Sequence, residues 1–267
     1  MSGDKDLGGT EKTSMRRNRE LEEITDVVEL AFREFENLGK LQKPPRDHQF
    51  ISKKQSKMEN SLVENINREW EFLMLCFDNS STYIRTYKER PDLMRAMMVG
   101  PEGTPFRDAL FCFDIHIPNN YPAHSPRLFY RSYGHHLNPN LNENFTLSAP
   151  DADKGFIIFN VDPKPLRIKR VLKPTSEAIL CLLKSPPQNF QDFVYGHFRT
   201  RAHKILSNFK SHMDDHDETT TRLFFKLVRA FEANGTYCQH HYDKEAYDRA
   251  LKQDKKNANR WKFFKKV

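Results

Sequence analysis

The sequence predicts an α+β protein: an N-terminal helix, a four-stranded antiparallel meander, then C-terminal helices. Three observations carry this. Leu62, Ile66, Trp70 and Leu73 recur at i, i+4, i+8 and i+11, which places them on one face of an amphipathic helix. Four strand-like runs follow, Thr82–Tyr87, Leu93–Val99, Ala109–Ile117 and Arg127–Tyr130. The links between them, Glu89-Arg90-Pro91, Gly100–Pro105 and Pro118–Pro126, are too short for parallel crossovers, so neighbouring runs pair antiparallel. Helical spacing returns only after Ser176, and strands grouped apart from helices mean α+β.

Taken in order, residues 1–57 are expected to be mostly disordered, with one helix over Glu20–Leu38. In that helix Leu21, Ile24, Val28, Phe32 and Phe35 repeat at helical spacing and Gly39 is the stop. Lys40–Lys57 holds Pro44-Pro45 and several cations, and reads as a linker. The compact core is expected over 58–148. Within it the Ala109–Ile117 run alternates best, with Phe111, Phe113, Ile115 and Ile117 on one face and Cys112, Asp114 and His116 on the other. Residues 149–175 form a divergent segment: Phe156–Val161 fits a further strand, while Pro163, Pro165 and the cations from Lys164 to Lys173 read as irregular. Helices are expected at Ser176–Lys184, Phe190–Phe209 and Thr221–Ala233, the last closed by Asn234-Gly235, within a helical part spanning 176–235. Residues 236–267 form a basic tail.

Composition narrows the class. The chain has 267 residues, 30% of them charged and 37% hydrophobic, with a net charge of +7. No run reaches the roughly 20 apolar residues of a membrane-spanning helix, and the opening MSGDKDLGGTEKTS is not a signal peptide. Four cysteines, at 76, 112, 181 and 238, never form a C-x-x-C pair, so a reduced, cytoplasmic or nuclear protein is expected and a zinc ribbon is not. Lys244–Val267 carries nine cations against three acids, so nearly all the net charge lies there. With Trp261, Phe263 and Phe264 interleaved, that tail could contact nucleic acid or an anionic membrane as a non-enzymatic interaction protein; a solvated tail is the commoner outcome.

The middle of the chain carries a set of motifs: Gly100-Pro101-Glu102-Gly103-Thr104-Pro105-Phe106, then Phe111-Cys112-Phe113-Asp114-Ile115, then Pro118-Asn119-Asn120-Tyr121-Pro122 with Pro126, then Asn138-Pro139-Asn140-Leu141. In this order and spacing they resemble the core domain of ubiquitin-conjugating enzymes. The N-P-N triplet is similar to the large plant and animal conjugating enzymes with extended flanks, and Pro186-Pro187-Gln188-Asn189-Phe190-Gln191-Asp192-Phe193 with Arg199–Ala202 is similar to the C-terminal helical extension of the large plant-type subfamily. The resemblance implies the ubiquitin-conjugating fold, a place in the protein ubiquitination pathway, and partners in ubiquitin, the ubiquitin-activating enzyme and ubiquitin ligases. It implies acyl transfer to lysine with no cofactor and no metal. It also implies that Asn140 donates to the oxyanion formed when an amine attacks the ubiquitin thioester, a contact worth ~3–4 kcal/mol in enzymes where such a donor has been removed.

One position departs from the pattern. The family's nucleophilic cysteine lies eight residues beyond that asparagine, and here the place is taken by Ser148, with Phe145 where a glycine is usual. A thiol with pKa near ~8.5 offers thiolate at neutral pH, whereas a serine hydroxyl needs an adjacent base. His135, His136, Asp151 and Asp153 are the sequence neighbours that could supply one. The expected result is a catalytically weak or inactive variant.

Two other groupings stand apart. Cys238-x-His240-His241 has the ligand types for zinc but no second half-site, and adjacent histidines such as His135-His136 rarely chelate one ion. Cys112 and Cys181 fall on an apolar strand and an apolar helix, where a cysteine is expected to act as a small buried hydrophobe.

Overall fold

The computed structural model describes residues 26–54, 58–76, 81–102, 104, 106–135, 144–146, 165–213 and 217–252. Their elements run α1 (Val27–Arg33), β1 (Leu38–Leu41), α2 (Asn60–Cys76), β2 (Thr82–Tyr87), β3 (Leu93–Val99), β4 (Leu110–His116), β5 (Arg127–Tyr130), β6 (Asn144–Thr146), α3 (Pro165–Lys184), α4 (Gln191–His212) and α5 (Glu218–Ala233). A single 3-10 turn, Gln239–His241, follows, and residues 244–252 are helical. No helix among the described residues is long and apolar enough to cross a membrane.

The meander from β2 to β5 is antiparallel, and the sheet gains a strand at each end to give the order β1-β2-β3-β4-β5-β6. At one edge β1 pairs parallel with β2, Leu38 opposite Ile84. The linker reading of Lys40–Lys57 therefore gives way at its start: residues 38–41 extend the sheet although Pro44-Pro45 follows at once. The N-terminal helix is also shorter than its apolar spacing suggests. It starts at Val27, where the Asp26 carboxylate caps the Val28 amide, and ends at Arg33. Residues 20–25 lie outside the described residues, as do Trp261, Phe263, Phe264 and the strand expected at Phe156–Val161. α3 corrects a third expectation: it begins at Pro165 and runs through Pro174, so the cation-rich stretch read as irregular is helical. Proline at a first helical position loses no hydrogen bond, because that amide has no partner in any helix.

The sheet is covered on both sides, which is why β4 is buried along nearly its whole length. Phe111 and Phe113 pack with Phe106, Tyr130, Val171 and Ala178, bringing α3 onto one face. Beside them Leu62 and Ile66 of α2 meet Met94 and Ile117. On the opposite face Met97, Leu110 and Cys112 join the large core formed by α4 and α5. α1 docks on α4 through Phe32 and Phe35, whose rings lie 5.6 and 5.3 Å from that of Phe193. Gly196 makes this approach feasible, since a Cβ there would sit 2.2 Å from Phe32 Cβ.

Candidate functional site

The loop after β4 is pinned from both ends of its motif. Asn120 bonds His124, and the Tyr121 hydroxyl donates to Glu69 Oε2 on α2 at 2.7 Å. Tyr121-Pro122 is a cis peptide. After β5 the chain turns sharply through Tyr133 and Gly134, both at positive φ, with the Gly134 amide on Ser132 Oγ and the His135 amide on the Ser132 carbonyl. This turn delivers His135 against α3 and starts the segment that carries the N-P-N triplet.

Asn138, Pro139 and Asn140 lie outside the described residues, and so do Ser148, His136, Asp151 and Asp153. What the structure does describe between Asn140 and Ser148 is β6. Its register sets Phe145 opposite Leu128 and Thr146 opposite Arg127, so the residue standing in place of the family's glycine is the middle of a strand.

Of the four potential bases near Ser148, His135 is the one described, and it is engaged elsewhere. Its Nδ1 lies 3.3 Å from Glu177 Oε2, and its Nε2 lies 3.7 Å from Cys181 Sγ. Glu177 and Cys181 are one turn apart on α3, so a single helix face presents both to one imidazole. A thiol, a base and an orienting carboxylate in line have the geometry of a nucleophilic site. Sequence spacing could not show it, because His135 is 46 residues from Cys181. The helical Glu177-x-x-x-Cys181 spacing was its one local signal. Cys181 is thus a half-exposed residue beside a histidine, and the expectation of a plain buried hydrophobe is corrected for it.

Cys112 and Cys238 are inert by contrast. Burial pushes the Cys112 thiol up to about 12, with the nearby Arg95 opposing and Asp114 adding to the effect. Burial likewise raises Cys238 to about 11, and its Sγ donates to the Thr236 carbonyl at 3.6 Å. Neither holds a useful thiolate fraction at neutral pH.

Beneath the loop over 45–50, on the Cys112 face of the sheet, lies a buried ionic cluster. Arg95 grips Asp114 with two hydrogen bonds, Nε to Oδ1 at 2.6 Å and Nη2 to Oδ2 at 3.0 Å. Asp114 also accepts from the Gln49 amide, and Arg95 reaches Asp47 Oδ1 and the Gln188 carbonyl. Burial alone would raise the Asp114 carboxyl; the Arg95 hydrogen bonds and charge outweigh it and hold the group below the ordinary carboxylate range. The cluster therefore ties loop 45–50 and the link before α4 to the centre of the sheet. It is structural: each charge is paired within the cluster.

Among known proteins, residues 66–148 match the family model described as ubiquitin-conjugating enzyme, and the matched stretch ends on Ser148. The chain is 28% identical over 228 residues to probable ubiquitin-conjugating enzyme E2 23 of Arabidopsis thaliana, covering 68% of this chain and 20% of that protein. It is 28% identical over 204 residues to putative ubiquitin-conjugating enzyme E2 38 of the same plant, covering 60% and 62%. With probable ubiquitin-conjugating enzyme E2 25, also from Arabidopsis thaliana, it shares 30% over 205 residues, covering 60% and 33%. The chain thus spans between one fifth and just under two thirds of these relatives' lengths. Among solved structures, a putative ubiquitin conjugating enzyme from Plasmodium yoelii aligns at 20% identity over 43% of this chain and 79% of that one, with a TM-score of 0.28, too loose an overlap to add to the argument.

The helix-plus-meander core and its ordered loop motifs define a ubiquitin-conjugating type of domain. Through residues 66–148 the chain matches the ubiquitin-conjugating enzyme family model, and it is similar to ubiquitin-conjugating enzymes of plants.

Proposed function

We propose that this chain works in the ubiquitination pathway as a ubiquitin-conjugating-enzyme-like protein whose own transfer activity is weak or absent. The observation that carries this is the serine on which the family match ends. A hydroxyl there needs a base, and His135, the described candidate, is held between Glu177 and Cys181. Ubiquitin, the activating enzyme and ligases are the partners such a scaffold would meet, in the cytoplasm or nucleus. Asn140 would keep the oxyanion-donor role only if a thioester formed beside it.

The Cys181–His135–Glu177 alignment supports a second reading, in which Cys181 is a displaced acceptor. There the Cys181 sulfur would bond to the acyl carbon of a ubiquitin thioester, the incoming thiol's proton would pass to His135, and the activating enzyme's thiolate would leave. Charging separates the readings. With activating enzyme, ubiquitin and ATP, the native chain is expected to gain no thiol-sensitive adduct by intact mass. An adduct that maps to Cys181 and vanishes in Cys181→Ala would establish the second reading instead.

A further inference from the structure

We infer that His203, His240 and His241 form a binding site for a divalent transition metal of the zinc class. His203 lies on the exposed side of α4, while His240 and His241 belong to the 3-10 turn that follows α5. Each offers one ring nitrogen, and the three nitrogens all fall within 4.8 Å of one another. The closest pair, His203 Nδ1 and His241 Nε2, is 3.0 Å apart. Two imidazole nitrogens on a tetrahedral zinc, each bonded at about 2.0–2.1 Å, stand about 3.3 Å apart, so this pair needs to open by only tenths of an ångström, and the His240 ring closes the remaining distance by a side-chain movement.

The chain path that creates this cluster is well fixed. Gly235, with φ of +92°, ends α5 and turns the chain back over α4. The Asn234 side chain donates to the Tyr195 carbonyl, Arg199 Nε donates to the Asn234 carbonyl, and Thr236 Oγ1 donates to the Arg199 carbonyl. These bonds hold the returning segment on the same helix that carries His203, one turn further along.

The chemistry suits a soft-to-borderline cation. Three imidazoles with a fourth position open to water is a zinc donor set, and imidazole also serves copper and nickel. Ligating histidines must be neutral. Lys210 is the cation that opposes a bound metal, and its ammonium is directed onto the His241 carbonyl at 3.3 Å. Cys238 is not a ligand, since it is buried with its thiol on Thr236. The Cys238-x-His240-His241 grouping of the sequence thus gives way to a set whose third member comes from α4.

The test uses the full chain and zinc alone. Titrated against a chromophoric chelator, the native protein should bind one zinc, and zinc should raise its melting temperature. His203→Ala and His241→Ala should each weaken binding by more than about a hundredfold, beyond what loss of an outer partner costs, and should remove the thermal shift. His212→Ala, further along α4 and outside the cluster, should keep both. His203 is exposed, so its variant should fold, as circular dichroism without metal would verify; His240→Ala gives the same reading if it does not. Binding that survives His203→Ala and His241→Ala, or a native protein that leaves the chelator's zinc untouched, overturns the site. In either case the close His203–His241 pair is an ordinary N–H···N hydrogen bond.

Discussion

Arg95 and Asp114 stand directly opposite each other on β3 and β4 and meet in a two-pronged ion pair from which solvent is wholly excluded. Desolvating both charges is costly, and the pair persists because nearly every remaining donor and acceptor finds a partner in Asp47, Gln49, Gln188 or Arg131. Asp114→Asn removes the fully buried one of the two carboxylates that pair with the guanidinium and leaves only the partly exposed Asp47. It should cost about 3–5 kcal/mol in urea unfolding, whereas an exposed pair such as Arg68–Glu64 should give under about 1 kcal/mol.

Gly196→Ala offers a test with an informative sign. In a helix interior the change ordinarily stabilises by roughly 1 kcal/mol. Here the added methyl would meet Phe32 Cβ at 2.2 Å and Cγ at 2.5 Å, so α1 must move away from α4. The variant should be about 1–3 kcal/mol less stable, and limited proteolysis should cut within 26–36 sooner. A stabilised variant would mean that α1 does not dock there.

His197 supplies a pH dependence. It is buried among Phe193, Phe198 and Phe32, its Nε2 faces the Asp108 carbonyl at 3.0 Å, and burial lowers its pKa to about 4. Between pH 6.5 and 4 the unfolded chain binds a proton there and the folded chain does not. Stability from this group is thus complete above about pH 6.5 and falls as the pH drops towards 4, by about 3 kcal/mol in all. His48, lowered chiefly by burial, acts in the same direction. Comparing His197→Phe with the native protein at pH 7 and pH 4.5 isolates the His197 part, and the acid-induced loss should shrink by most of that amount. An unchanged loss would show that His197 titrates normally.

Much of the fold was legible because local rules agreed with it. Short links fixed the antiparallel order of β2 to β5, and alternation placed Phe113 correctly in the core. Long-range pairing was less visible. Leu38–Leu41 becomes a strand because β2 lies beside it, and nothing in four residues around Gly39 announces that. At Pro165, proline and cations suggested loop, yet a first helical turn accepts both. Cys112 and Asp114 share the face opposite Phe113, as the alternation says. Their burial follows from loop 45–50 and α4 folding over them, which no local pattern encodes. The same holds for His203 meeting His241, from segments 38 residues apart. Asn140 and Ser148 rest on motif spacing alone.

That spacing makes the central proposal, that Ser148 occupies the family's nucleophile position, directly measurable. Ser148→Cys, incubated with activating enzyme, ubiquitin and ATP and weighed intact before and after thiol treatment, should acquire one ubiquitin that thiol removes, while the native chain acquires none. If Ser148→Cys remains uncharged, or the native chain is charged equally well, position 148 is not the vacated nucleophile position.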